Sequence, residues 1–178
     1  MALTKVSYSM IAGAPANVND FGADPTGVAD STATIQLALS SGAKTVQLAP
    51  GSQYLISTVL SVPQGVTFDG QGSALLQSAS AVCVKTTGTN VEIKNLIVRS
   101  NVLGTKKGIY GISLEHSNAF VHDCQIYDIT FSAISNSADD VRVFDVVARD
   151  CGWDLIQNFT DAGTGPNRVH VHRCHATR

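Results

Sequence analysis

Four six-residue segments of the chain can be laid under one another: residues 91–96, 119–124, 141–146 and 169–174. Their third residues, Ile93, Val121, Val143 and Val171, are 28, 22 and 28 residues apart. A repeat of this size marks a stack of short units, none of which buries its apolar face alone. The longer intervals contain 102–108 and 161–166, Gly-rich or charged stretches that read as surface loops added to a basic coil of 22. The register extends beyond these anchors: Cys124 falls over Val146 and Cys174, Ile126 over Ala148 and Ala176, and Ile129 over Cys151.

Within each segment apolar and polar residues alternate with period two, which sends one set of side chains inward and the other to solvent. Helical repeats would need a period of 3.6, and the few leucines, most before residue 104, do not make a leucine-rich repeat. A second strand follows in each coil, with Leu114, Ile134 and Ile156 expected to stack at intervals of 20 and 22. Aromatic residues are only 6% of the chain, while Val, Ile, Thr, Ser, Asn and Gly are plentiful, as short strands between turns require. The expected fold is an all-β, right-handed parallel β-helix, with equivalent residues of neighbouring coils ~4.8 Å apart.

An apolar rod needs a cover at its open end. Asp30 or Ser31 can N-cap a short α-helix running through Ser41, with Ile35, Ala38 and Leu39 on one face and Gly42 closing it. The chain thus divides into a leader, 1–18, without a core of its own, and a β-helix, 19–178. The last coil stops midway at Arg178, so this chain is expected to be the N-terminal portion of a longer rod.

The stretch Asn19-Asp20-Phe21-Gly22-Ala23-Asp24 and the following residues 27–39 resemble the opening motif of the pectate-lyase-like β-helix superfamily. Residues 46–51, 54–57 and 65–70 are similar to its first two coils, so the match runs from Asn19 to about Gly72 and continues more weakly to the end. Residues 2–11 resemble the short leader before this motif in bacteriophage tail spike proteins. The resemblance implies a surface for long polysaccharides, with lyase or hydrolase chemistry in some members and binding alone or a structural solenoid in others. For a tail spike it implies a homotrimer on the virion, made in the host cytoplasm, attached through its N-terminus to phage tail or baseplate proteins, and directed at bacterial surface polysaccharide. A secreted bacterial lyase or glycoside hydrolase is the alternative.

Only 15% of residues are charged, the net charge is -2, and Lys and Arg are scattered, which argues against nucleic acid as a partner. No run of ~18 apolar residues exists, so membrane insertion is not expected, and residues 1–16 lack the apolar core of a secretory signal. Cys83, Cys124, Cys151 and Cys174 have neither zinc-site spacing nor the density of a disulfide scaffold, and are expected to be free and buried. No cofactor or metal site is read from the chain, since His170 and His172 share a face without a carboxylate or thiol at convincing spacing.

Glycoside hydrolysis needs two carboxyl groups ~5 to 10 Å apart. The coils stack Asp123 over Asp145 and Asp128 over Asp150, which makes these four the catalytic candidates. Arg173 and Arg178 continue the two columns, so a charge ladder is the structural alternative. Glu115, Trp153 and Asp154 flank the second strand and are the substrate-binding candidates, with Trp153 offering a ring for a sugar to stack on. Asp139-Asp140 reads as a turn into the next strand. His116 over Asn136 and Asn158 reads as a polar ladder.

Overall fold

The period-two segments form short strands that pair in parallel from coil to coil in the computed structural model, which describes residues 13–159 and 166–177. In chain order they are β1 (Ala16–Asn17), β2 (Thr26–Asp30), β3 (Thr45–Gln47), β4 (Gln53–Ile56), β5 (Leu60–Val62), β6 (Thr67–Gln77), β7 (Val84–Thr86) and β8 (Glu92–Ser100). Then come β9 (Ile112–Leu114), β10 (Phe120–Tyr127), β11 (Ile134–Asn136), β12 (Arg142–Arg149), β13 (Ile156–Asn158), β14 (His170–His172) and β15 (His175–Thr177), with one helix, α1 (Thr32–Leu39), after β2. One sheet runs β1-β3-β6-β8-β10-β12-β14, and the other runs β5-β7-β9-β11-β13. The chain is a right-handed parallel β-helix, the hand that parallel crossovers adopt.

The long strands β8, β10 and β12 bend at one residue each. Asn95, Asp123 and Asp145 have φ of 51°, 53° and 54°, in the left-handed region that Asn and Asp tolerate better than other side chains. Each regular coil therefore has three legs: two from the bent strand and one from the second sheet. The core fills with columns such as Val46, Phe68, Ile93, Val121 and Val143, paired residue on residue and all fully buried. Full burial of each aliphatic side chain contributes roughly 1.5–3 kcal/mol, so the rod is held by its columns.

Val171 continues this column in register and is 47% exposed. Cys83, Cys124 and Cys151 are free and buried, whereas Cys174, on the same last coil, is only half-buried. The second sheet corrects one expected register. Ile134 pairs with Ile112, and Leu114 with Asn136, so this interval is 22 rather than 20. A slip of two residues leaves every side chain on the same face, which is why alternation alone did not distinguish the two alignments. His116 consequently does not lie over Asn136. Its Nδ1 is 3.2 Å from the carbonyl of Thr86, while Asn136 Nδ2 donates to Asn158 Oδ1 at 2.9 Å.

The helix covers the first edge of the second sheet. Ile35, Ala38 and Leu39 are fully buried, and the Gln36 amide grips the β5 edge by accepting from Ser61 N–H at 2.8 Å and donating to the Ser61 carbonyl at 3.1 Å. It ends at Leu39, with Ser40 as C-cap, two residues earlier than expected. Ser31 occupies the N-cap position without a side-chain cap, and the neighbouring Asp30 carboxylate accepts from Thr32 N–H at 2.8 Å instead. Residues 1–12 of the expected leader, the body of the 161–166 loop and the Arg178 partner of Asp150 lie outside the described residues, whereas Ala16 and Val18, at the leader's end, are buried in the core of the rod.

Candidate functional site

The catalytic candidates stand at bends of the coil, where the backbone geometry favours Asp. Asp123 and Asp145 occupy the same bend on adjacent coils, ~4.8 Å apart by strand spacing. Asp145 is bridged on both oxygens by Arg173, with Nε and Nη2 each donating at 2.7 Å. That guanidinium holds the Asp145 carboxyl below the usual carboxylate range, the opposite of what an acid catalyst needs. Asp123 Oδ2 is 2.7 Å from His122 Nδ1. The other ring nitrogen, Nε2, lies 3.1 Å from Glu92 Oε1, and Glu92 Oε2 accepts from Lys94 Nζ at 3.2 Å and from Thr67 Oγ1 at 3.0 Å. Burial pushes the Glu92 carboxyl up, and the donors from His122, Thr67 and Lys94 outweigh it and draw it down. These groups form a closed polar ladder.

Asp128 and Asp150 repeat at a second bend, with φ of 54° and 53°. Asp128 is 8% exposed and accepts from Gly104 N–H at 3.3 Å, so it anchors the 101–108 loop. Asp139 and Asp140 tie the following turn, Asp139 accepting from Asn167 N–H at 2.7 Å and Asp140 bridged by Arg168. His122, Phe144 and His172 form a stacked outward column, with ring centroids 4.6 and 5.3 Å apart. Among the described residues, no three His, Cys, Asp or Glu side chains are grouped to hold a metal ion.

The substrate-binding candidates meet a different environment. Trp153, 49% exposed, packs on Phe131 at 4.4 Å between centroids, and Tyr110 lies 5.9 Å from both Phe131 and Phe159. These four rings sit over the outward side of β9, β11 and β13. Beneath them Ser135 Oγ donates to Ser113 Oγ at 2.9 Å, Ser113 Oγ to Glu115 Oε1 at 3.2 Å, and Ser132 Oγ to Gln157 Oε1 at 3.2 Å. Ser113 and Ser135 are buried although they alternate with the core residues of their strands. Glu115 and Asp154 flank this face from opposite ends of the strands and two coils apart. Strand rise and coil spacing put them roughly 15–20 Å from each other, beyond the ~5–10 Å of a hydrolase pair. Trp153 stands out in the sequence, whereas Tyr110, Phe131 and Phe159 do not; the one signal for them is that Phe131 precedes Trp153 by one coil of 22.

A family model described as rhamnogalacturonase A/epimerase, pectate lyase-like, matches residues 16–160, from the first strand to the end of the aromatic face. The chain belongs to this family. No curated protein matches this pectate-lyase-like chain. Among solved structures, "Geobacillus virus E2 - ORF18" is similar with a TM-score of 0.42 and 18% identity, over 91% of this chain and 36% of that one. The pectate-lyase-like rod described above thus spans little more than a third of that chain's length.

Proposed function

We propose that this chain is a polysaccharide-binding β-helix, part of a phage tail spike or related virion receptor-binding protein that engages bacterial surface glycan. The observation that carries the reading is the ring cluster of Tyr110, Phe131, Trp153 and Phe159 on one side of the rod, in which Trp153 and Phe159 are exposed and the other two half-buried. Exposed aromatic clusters rimmed by polar groups mark binding surfaces. Their flat apolar surface suits the C–H side of a sugar ring, while Glu115, Gln157 and Asp154 are placed to take hydroxyl groups. The virion role rests on the resemblance of residues 2–11 to the leader that precedes the pectate-lyase-like opening motif in tail spikes, and a homotrimer on the tail or baseplate belongs to the same reading.

Binding without turnover is proposed for this chain alone, because Asp123 and Asp145 are paired with His122 and Arg173, Asp128 is buried, and Glu115 stands far from Asp154. Calorimetric titration of the purified chain against a panel of bacterial surface polysaccharides, with reducing-end and unsaturated-product assays in parallel, tests the proposal. At least one polysaccharide should bind without product, and Trp153→Ala should weaken that binding about tenfold or more. Turnover abolished by Asp145→Asn or Glu115→Gln would overturn the non-catalytic part. Absence of binding across the panel would overturn the whole.

A further inference from the structure

The bend between the first two legs of each coil forms a groove of about 380 Å³, lined by Gln71, Gly72, Asn95, Ile97, Asp123 and Gln125. It crosses three coils and lies away from the third leg, which carries the aromatic rings. Its polar groups are arranged with one sense. Gln71 Nε2 and Asn95 Nδ2 both donate to the carboxylate of Asp69, at 2.6 and 3.0 Å. Each amide nitrogen is thereby turned toward Asp69 with one of its two N–H groups, and each amide oxygen is left for a ligand. Asp69 itself is buried at 6% exposure and saturated by these donors and Gln71 N–H, so it orients the two amides. Asp123 uses Oδ2 toward His122 and keeps Oδ1 for the groove. Gln125 is the converse, since its Oε1 accepts from the Tyr127 hydroxyl and its Nε2 remains a donor. Ile97 supplies an apolar patch among them.

We propose that this groove is a second saccharide subsite, selective for uncharged hexose units. The inference rests on the polysaccharide-binding reading but concerns a different part of the coil. Three acceptor oxygens on successive coils receive the hydroxyl donors that every neutral hexose presents, and Gln125 Nε2 donates to a ring or linkage oxygen. A uronate carboxylate would face the Asp123 carboxylate with only neutral amide donors and no cation in the groove lining to hold it, so acidic sugars are disfavoured. Two subsites on different sides of one rod would let separate glycan strands of a dense bacterial surface be held together, raising avidity without further contacts.

The side-chain amide NMR signals of Gln71, Asn95 and Gln125 report directly on the groove, and Trp153 fluorescence reports on the aromatic face. The probes are gluco-, galacto- and manno-oligosaccharides, sodium polygalacturonate, and calcium chloride. At least one neutral oligosaccharide should shift the three amides. Gln125→Ala should weaken that response about five- to tenfold, Asp123→Asn, which keeps the bend, should weaken it less, and Trp153→Ala should leave it unchanged. The proposal is overturned if polygalacturonate shifts the amides as well as the neutral probes do. It is equally overturned if no neutral probe shifts them, or if calcium alone does and a chelator reverses it. Loss of Trp153 quenching with intact amide shifts would count against the aromatic face and leave the groove standing.

Discussion

Asn95, Asp123 and Asp145 turn the chain at the same place in successive coils, with φ near +50°. The column that looked like a pair of acids is therefore first a column of left-handed backbone, which Asp and Asn reach by bonding locally with a short side chain. Replacing Asp123 by Val, whose branched Cβ crowds this conformation, should cost about 1–2 kcal/mol in denaturant unfolding. Asp123→Gly, which removes the strain, should cost clearly less. Equal losses would mean that the carboxylate and not the bend is what the rod needs. The period-two pattern and the 22-residue spacing made the column legible, but backbone handedness leaves no mark on hydropathy, so acid and bend looked alike.

A second prediction at this scale concerns Asp24, whose carboxylate accepts from the N–H groups of Thr26, Val28 and Ala29 and from the Thr26 hydroxyl. The Ala29 bond leads in drawing its pKa from 3.8 to about 2. The folded chain thus binds this proton less tightly than the unfolded chain. Its stabilisation is complete above the unfolded value and is lost as the pH falls through 3.8 toward 2. Asp140 and Asp145, lowered by Arg168 and Arg173, act in the same direction. Asp24→Asn should be less stable than the parent at pH 7, and the gap should close between pH 4 and 2 in thermal unfolding. A gap of constant size over that range would show that the carboxylate charge is irrelevant.

Among elements, α1 and the second sheet show what a sequence can and cannot specify. Ile35, Ala38 and Leu39 were legible as one apolar face, and all three are buried. The contact that closes the β5 edge comes instead from Gln36, a polar residue that periodicity assigns no role. By pairing with both the N–H and the carbonyl of Ser61, its amide takes the place of a neighbouring strand. Gln36→Leu should lose about 1–2 kcal/mol and associate more readily at high concentration, measured by denaturation and light scattering. Unchanged stability and a monodisperse sample would mean that the helix shields the edge without that amide. The slip between Leu114 and Ile112 has a related origin, because alternation fixes faces and only the turn on each side of β9 fixes the count.

For the whole molecule, family membership and fold agree, and holding a glycan without cutting it is what we propose for this chain. Of the carboxylates that stacked in the sequence, Asp145 is bridged by Arg173, Asp123 is held by His122 and Asp128 is buried. The aromatic side was only partly legible, since Trp153 stood out by its rarity while Tyr110 comes from two coils away and Phe159 from the other end of β13, at other positions in the repeat. That rarity also provides the test, because Trp153 is the sole tryptophan of the chain and its emission reports on this face alone. Titrating the chain with purified bacterial surface polysaccharides while following tryptophan fluorescence should give saturable quenching or a spectral shift with at least one of them, and Phe131→Ala should weaken the response. Saturable binding seen by calorimetry with tryptophan emission unchanged throughout would contradict the assignment of the glycan to this side of the rod.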